Sequence, residues 1–234
     1  MRRIWSILLI LALLAAPVRA ADAEKWVALT FDDGPSGALT GRLLDGLAER
    51  NVRATFFVCG YRVAQYPEAL RRIAAEGHEI GLHSDKHDYM QKMGHAAVLD
   101  DLTRCRAAVA ECCGAEARLF RPPGGLYSEA VLRASGELGL SVILWSVDPE
   151  DWDAAKAAAV LPTIRREVFP GSVILMHDLH ESSVDAALTA IDELNAQGYR
   201  FCTVSELAAH TGTPLQPGEV YSSFRPVDES GKSG

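Results

Sequence analysis

Asp32 and Asp33 stand side by side, directly after the apolar run KWVALTF and directly before Gly34-Pro35. Side chains alternate along a strand, so neighbouring carboxylates point to opposite sides unless the backbone turns between them. Brought close together, they raise each other's pKa. A solvated loop accepts such a pair; a reaction centre keeps both by giving each a different partner. Other polar groups also follow β-like runs. His83 and His87 lie in HSDKH, Arg121 opens RPPGG, Asp151 and Trp152 close DPEDW, and His177 ends SVILMH. Four residues apart, His83 and His87 share one side of a helical turn and can grip a metal ion. An H-x3-H pair also occurs on plain surfaces, but one carboxylate on the same rim makes it a His2Asp set with a position left for water or substrate. One aspartate then binds the metal and its neighbour faces the water. Arg121 is either a surface cation or a fixed partner for the non-ligating aspartate. DPEDW alone reads as an acidic turn with one packed Trp. His177 is a hydrogen-bonded core residue or, beside a carboxylate, a general acid. His78, His95, His180 and His210 lack such company and read as surface residues.

The elements that must position these groups alternate in type. Strands are expected at 26–31, 54–59, 78–82, 117–121, 140–147, 172–177 and 199–204, with amphipathic helical stretches between them that end at Gly77, Gly114, Gly139 and Gly198. Seven β–α alternations predict an α/β fold of parallel strands with helical crossovers, either a (β/α) barrel or an open doubly wound sheet. In both, the C-terminal ends of the strands share the face on which ligands bind. The polar groups all follow strands, so they are expected to meet in one bowl.

Composition bounds the rest. The chain has 234 residues, 48% hydrophobic and 23% charged, enough for one domain with a sizeable core. Residues 1–20 read as a secretory signal peptide: a basic MRR start, an apolar run of thirteen, and VRA before Ala21. That run falls short of the ~20 residues of a spanning helix. The expectation is therefore an exported protein, periplasmic or extracellular, monomeric, with no stable membrane insertion. One folded domain is expected over residues 21–210, and a flexible tail over the Pro/Gly-rich residues 211–234. Without residues 1–20 the chain carries 20 Lys and Arg against 31 Asp and Glu, a net −11, which argues against nucleic acid and anionic membranes as partners. Five cysteines leave at least one thiol unpaired, and none has zinc-site spacing; Cys59 and Cys202 read as buried free thiols.

Taken together, TFDDGP, HSDKH, RPPGG, DPEDW and LMH, in that order across residues 30–177, resemble the motifs of the NodB-homology polysaccharide deacetylases, carbohydrate esterase family 4. The resemblance implies a distorted (β/α) barrel of about seven parallel strands and one divalent metal ion, zinc or else cobalt. It implies Asp33, His83 and His87 as ligands, Asp32 as general base oriented by Arg121, and His177 as general acid tuned by Asp151. The Gly124 N–H would hold the oxyanion, and Trp152 and Leu175 would wall the acetyl methyl pocket. The implied partner is an acetylated polysaccharide or oligosaccharide, an N-acetylglucosamine polymer of peptidoglycan or chitin type, with an O-acetyl ester such as acetyl-xylan as the alternative. Many members carry tyrosine where this chain has Gly124, which bears on the sugar-binding wall rather than on the backbone donor. A non-catalytic glycan-binding domain would have no use for base, acid and ligands together. A two-carboxylate glycosidase would leave the histidines idle.

Overall fold

In the computed structural model, which describes residues 24–226, strands and helices alternate along the chain. The order is β1 (Lys25–Asp32), α1 (Gly37–Glu49), β2 (Thr55–Val58), α2 (Gly60–Gln65), α3 (Pro67–Ala75), β3 (Glu79–Leu82), α4 (His95–Cys113), β4 (Leu119–Phe120), α5 (Glu129–Glu137), β5 (Ser141–Ile143), α6 (Val160–Glu167), β6 (Val173–His177), α7 (Glu181–Ala196), β7 (Tyr199–Cys202), α8 (Val204–His210) and β8 (Val220–Tyr221). The seven expected strands are present, several of them shorter than the apolar runs that announced them. The signal-peptide reading of residues 1–20 lies outside the described residues.

The sheet runs β6-β1-β2-β3-β4-β5-β8 with every strand pair parallel, and β7 joins the first half of β1. Beyond β5, the Ser146 N–H donates to the Val173 carbonyl and the Leu175 N–H to that of Val147, so the sheet curls until its two ends meet at β6. The result is a distorted α/β barrel. Alternation divides its side chains between two apolar layers. Leu29, Phe31, Phe56, Ile80, Leu82, Phe120, Val142, Ile174 and Met176 pack outward under the helices. Ala28, Phe57, Leu119, Ile143 and Val173 fill the smaller inner cluster. Continued to the C-terminal strand ends, the inward alternation passes through Asp32, His83, Arg121 and His177. A hydrophobic period of two therefore sets the polar residues inside the mouth of the barrel.

Residues 211–226 correct the expectation of a loose tail. β8 pairs with β5, and Phe224 is 1% exposed within the inner cluster, stacked on Tyr221. The polar composition hid a short strand whose two apolar residues cover an open sheet edge. Residues 227–234 lie outside the described residues. All five cysteines are free, with Cys59, Cys105 and Cys202 buried.

Candidate active site

The backbone answers the question raised by the adjacent aspartates. Asp32 is the last residue of β1 and points inward, in register with His177 on β6. Asp33 has φ +68°, a left-handed conformation that costs a non-glycine residue about 1–2 kcal/mol. The strand breaks between the two, and both carboxylates reach the same pocket.

Each then takes a different partner. Arg121, fully buried, donates from Nη1 to Asp32 Oδ1 at 2.7 Å and to Thr30 Oγ1 at 2.8 Å. Its Nε donates to the Ile143 carbonyl at 3.1 Å and its Nη2 to that of Leu144 at 2.9 Å, while its guanidinium lies 4.1 Å from the Phe57 ring centre. Burial works against this charge and Asp32 partly offsets it. Asp32 is thereby fixed through one oxygen, and its Oδ2 lies 3.7 Å from His83 Nε2.

Asp33 faces the histidines. Its Oδ1 lies 3.2 Å from His83 Nε2 and 3.1 Å from His87 Nε2, yet this buried oxygen has no hydrogen-bond partner. A tetrahedral ion with bonds near 2.0–2.1 Å separates its ligands by roughly 3.3 Å. His83 Nδ1–H donates to the Arg121 carbonyl at 2.7 Å, which leaves the Nε2 lone pair directed at Asp33. Donor types, spacing and the orphaned oxygen all fit a divalent cation. Burial pushes the Asp33 carboxyl up, but the two imidazoles hold it well below the usual carboxylate range.

The HSDKH segment is not the helical turn that its spacing suggested. It is a loop after β3, with Ser84 at φ +66° and His87 at φ +61°, both incompatible with a helix. Contacts from two helices pin it: Gly60 N–H to the Ser84 carbonyl, Tyr61 N–H to that of Asp85, and Asp85 N–H to Asp101 Oδ1 at 2.8 Å. The rings nevertheless meet, with centroids 5.1 Å apart.

On the far wall, Asp151 grips His177 twice, accepting from ring Nδ1–H at 2.8 Å and from the backbone N–H at 2.9 Å. His177 Nε2 is left facing the pocket, 4.0 Å from Asp33 Oδ2. Burial opposes the imidazolium, but the hydrogen bond and charge of Asp151, with Asp32 and Asp33 behind them, raise its pKa to about 9.

Asp32, Asp33, His83, His87, Gly124, Trp152, Leu175 and His177 line one cavity of about 370 Å³, while Arg121 and Asp151 stand behind its wall as buried partners. All ten sequence-derived residues thus come together. Two others, Tyr89 and Trp145, were not legible. Both line the same cavity; an aromatic two residues after His87 was the available signal for Tyr89. Asp178, fully buried, accepts from Thr40 through its carboxylate and from Ser36 through its carbonyl at 2.5 Å, tying the loop after β1 to that after β6. His78, expected on the surface, is buried and accepts the Ala54 N–H at 3.1 Å.

A larger cleft, about 530 Å³, opens at the other end of the barrel beside Trp26, Arg53, His78 and His210. Among the described residues the only cluster with metal-ligand geometry is Asp33, His83 and His87, so the chemistry belongs to the smaller cavity.

Comparison with known proteins agrees with this geometry. The family described as Polysaccharide deacetylase matches residues 19–143. The chain is 38% identical over 204 residues to the peptidoglycan-N-acetylglucosamine deacetylase PgdA of Listeria monocytogenes, covering 87% of this chain but only 42% of that protein. It is also 38% identical over 189 residues to a peptidoglycan-N-acetylglucosamine deacetylase of Bacillus cereus, covering 79% of this chain and 88% of the relative. The cobalt complex of a family 4 acetyl xylan esterase from Clostridium thermocellum superposes with a TM-score of 0.80 at 32% identity, over 85% of this chain and 98% of that one. With its five motifs folded around one cavity and more than half its length matched, the chain belongs to the polysaccharide deacetylase family, the NodB-homology group of carbohydrate esterase family 4.

Proposed function

We propose that this protein is a metal-dependent hydrolase that removes N-acetyl groups from an N-acetylglucosamine polysaccharide, peptidoglycan or chitin-like, and releases acetate. The carrying observation is the meeting of three differently partnered groups in one cavity: the Asp33–His83–His87 cluster, Asp32 on Arg121, and His177 on Asp151. The names of the Listeria and Bacillus relatives support the substrate class. Asp33, His83 and His87 would hold a divalent ion, zinc in this reading with cobalt as the alternative, which would supply Lewis-acid activation of water and of the acetyl carbonyl.

The residues of the chain do the rest. Asp32, with Oδ1 tied to Arg121, takes a proton through Oδ2 as the water oxygen bonds to the acetyl carbon. The Gly124 N–H donates to the developing oxyanion, a role worth roughly 3 kcal/mol for one such donor. His177 Nε2 gives its proton to the nitrogen as the C–N bond breaks, so that a neutral amine departs. Trp152 and Leu175 flank the acetyl methyl. An acetate ester fits the same cavity and has a better leaving group; the xylan esterase relative favours this second reading. A cell-wall substrate agrees with export. Among the described residues no helix is long and apolar enough to cross a membrane.

Acetate release from peptidoglycan, an N-acetylglucosamine tetramer and acetyl-xylan tests the assignment. The expected result is release from the amide substrates, abolished by EDTA and restored by zinc or cobalt. Release from acetyl-xylan alone would transfer the activity to esters. Indifference to EDTA would remove the metal from the mechanism.

A further inference from the structure

Among the described residues five large apolar side chains stand out into solvent: Tyr61, Tyr89, Leu126, Tyr127 and Trp152. All five follow the C-terminal ends of β2, β3, β4 and β5, on the face that holds the site. Exposed apolar groups gathered on one face mark a binding surface. Two of them line the cavity itself, Tyr89 at 59% and Trp152 at 55% exposure.

Tyr89 is held as a wall. The next residue, Met90, is fully buried and anchors the backbone. The Tyr89 ring meets His87 edge-on, with centroids 6.0 Å apart and planes at 67°. Its position also depends on Gly124, where a Cβ would fall 2.7 Å from Tyr89 Cε1. Glycine at 124 and tyrosine at 89 are therefore a matched pair, one vacating the space that the other fills. No hydrogen bond ties the Tyr89 hydroxyl to any described residue, so the ring itself is what the position offers. An aromatic face exposed over a polar cavity suits a pyranose, which presents apolar C–H faces and a hydroxyl edge.

We infer that Tyr89 is a specificity-determining residue: with Trp152 it grips a sugar ring of the glycan, and Leu126 and Tyr127, beyond Gly124 on the neighbouring loop, extend the wall to further sugars. This rests on the polysaccharide reading of the site and adds which residues hold sugar rings beside the reacting acetyl group. The contact is with a non-reacting part of the substrate, so it governs binding more than turnover.

The test uses zinc-loaded enzyme and the N-acetylglucosamine tetramer. Tyr89→Ala should raise KM about tenfold, equivalent to one lost aromatic contact, with kcat within about twofold and metal content unchanged. Tyr89→Phe and Tyr89→Trp should recover the wild-type KM to within about twofold, and tetramer affinity measured by calorimetry should follow KM. Unchanged KM and affinity in Tyr89→Ala would overturn the inference. So would loss of metal together with kcat, the mark of a purely structural role, or a Tyr89→Phe as weak as the alanine variant. If wild type binds the tetramer without releasing acetate, the calorimetry still decides: weaker binding by Tyr89→Ala upholds the wall while the proposed reaction falls. A wild type that neither binds nor deacetylates the tetramer overturns both.

Discussion

One backbone angle separates the duties of Asp32 and Asp33. Asp32 ends a regular strand and meets Arg121; Asp33, at φ +68°, swings toward two imidazoles. Asp32→Asn should therefore keep its metal by elemental analysis and lose at least about a hundredfold in kcat, the scale of a positioned base. Asp33→Asn removes a charged ligand and should lose the metal first. Equal behaviour of the two variants would refute the division of labour. His177 makes a separate prediction. Asp151 is its nearest source of negative charge, and in the proposed role of general acid His177 would act in its protonated form, so activity should fall as pH rises through its pKa. A bound cation pulls that pKa down from about 9, and removal of Asp151 pulls it down further. Asp151→Asn should move the alkaline limb of the rate profile to lower pH at unchanged metal content. A limb that stays in place would take Asp151 out of that role.

At the scale of elements, the segment after α8 is a structural strap. The Val142 N–H donates to the Glu219 carbonyl at 2.9 Å and the Leu144 N–H to that of Tyr221 at 2.7 Å. β8 thus steadies the strand end that leads to Trp145 and the Asp151 turn. The strap is anchored where Phe224 N–H meets the Gly171 carbonyl at 2.8 Å. Gly171 has φ +94°, and a Cβ there would fall 1.9 Å from the Phe224 carbonyl oxygen, so only glycine permits this approach. Phe224→Ala should cost about 3–5 kcal/mol, seen as a lower denaturant midpoint at unchanged m-value. A flexible tail would register less than about 0.5 kcal/mol in the same measurement.

For the whole molecule, two buried titratable groups outside the metal site push stability in opposite directions. Burial lowers His78 from 6.5 to about 4. A depressed folded pKa gives a contribution that is complete above 6.5 and lost as pH falls toward 4, about 3 kcal/mol in all. Burial raises Asp178 from 3.8 to about 6. Its contribution is complete below 3.8 and lost as pH rises through 6, again about 3 kcal/mol. The two largely cancel between pH 4 and 6. Unfolding free energies measured across that range should uncover them singly. Relative to wild type, His78→Asn should gain stability as the solution is acidified, and Asp178→Asn should lose it. Parallel profiles for wild type and both variants would show that neither pKa is shifted.

The strands and the polar residues at their ends were legible because both depend on covalent neighbours: a period of two decides which residue faces inward, and the last inward position of a parallel strand opens onto the ligand face. Asp32, His83, Arg121 and His177 could be read in that way. Closure of the sheet could not, since it rests on hydrogen bonds between residues 146–147 and β6. Nor could the loop form of HSDKH, because its left-handed residues are held by α2 and by Asp101 on α4. The strap at Phe224 and the seat of Tyr89 over Gly124 likewise depend on groups 35 or more residues away in the chain. The sequence by itself determined which residues could do chemistry and on which face they stand. The tertiary structure alone decided which of them touch, because contacts between distant segments follow from how the whole barrel packs rather than from any local pattern.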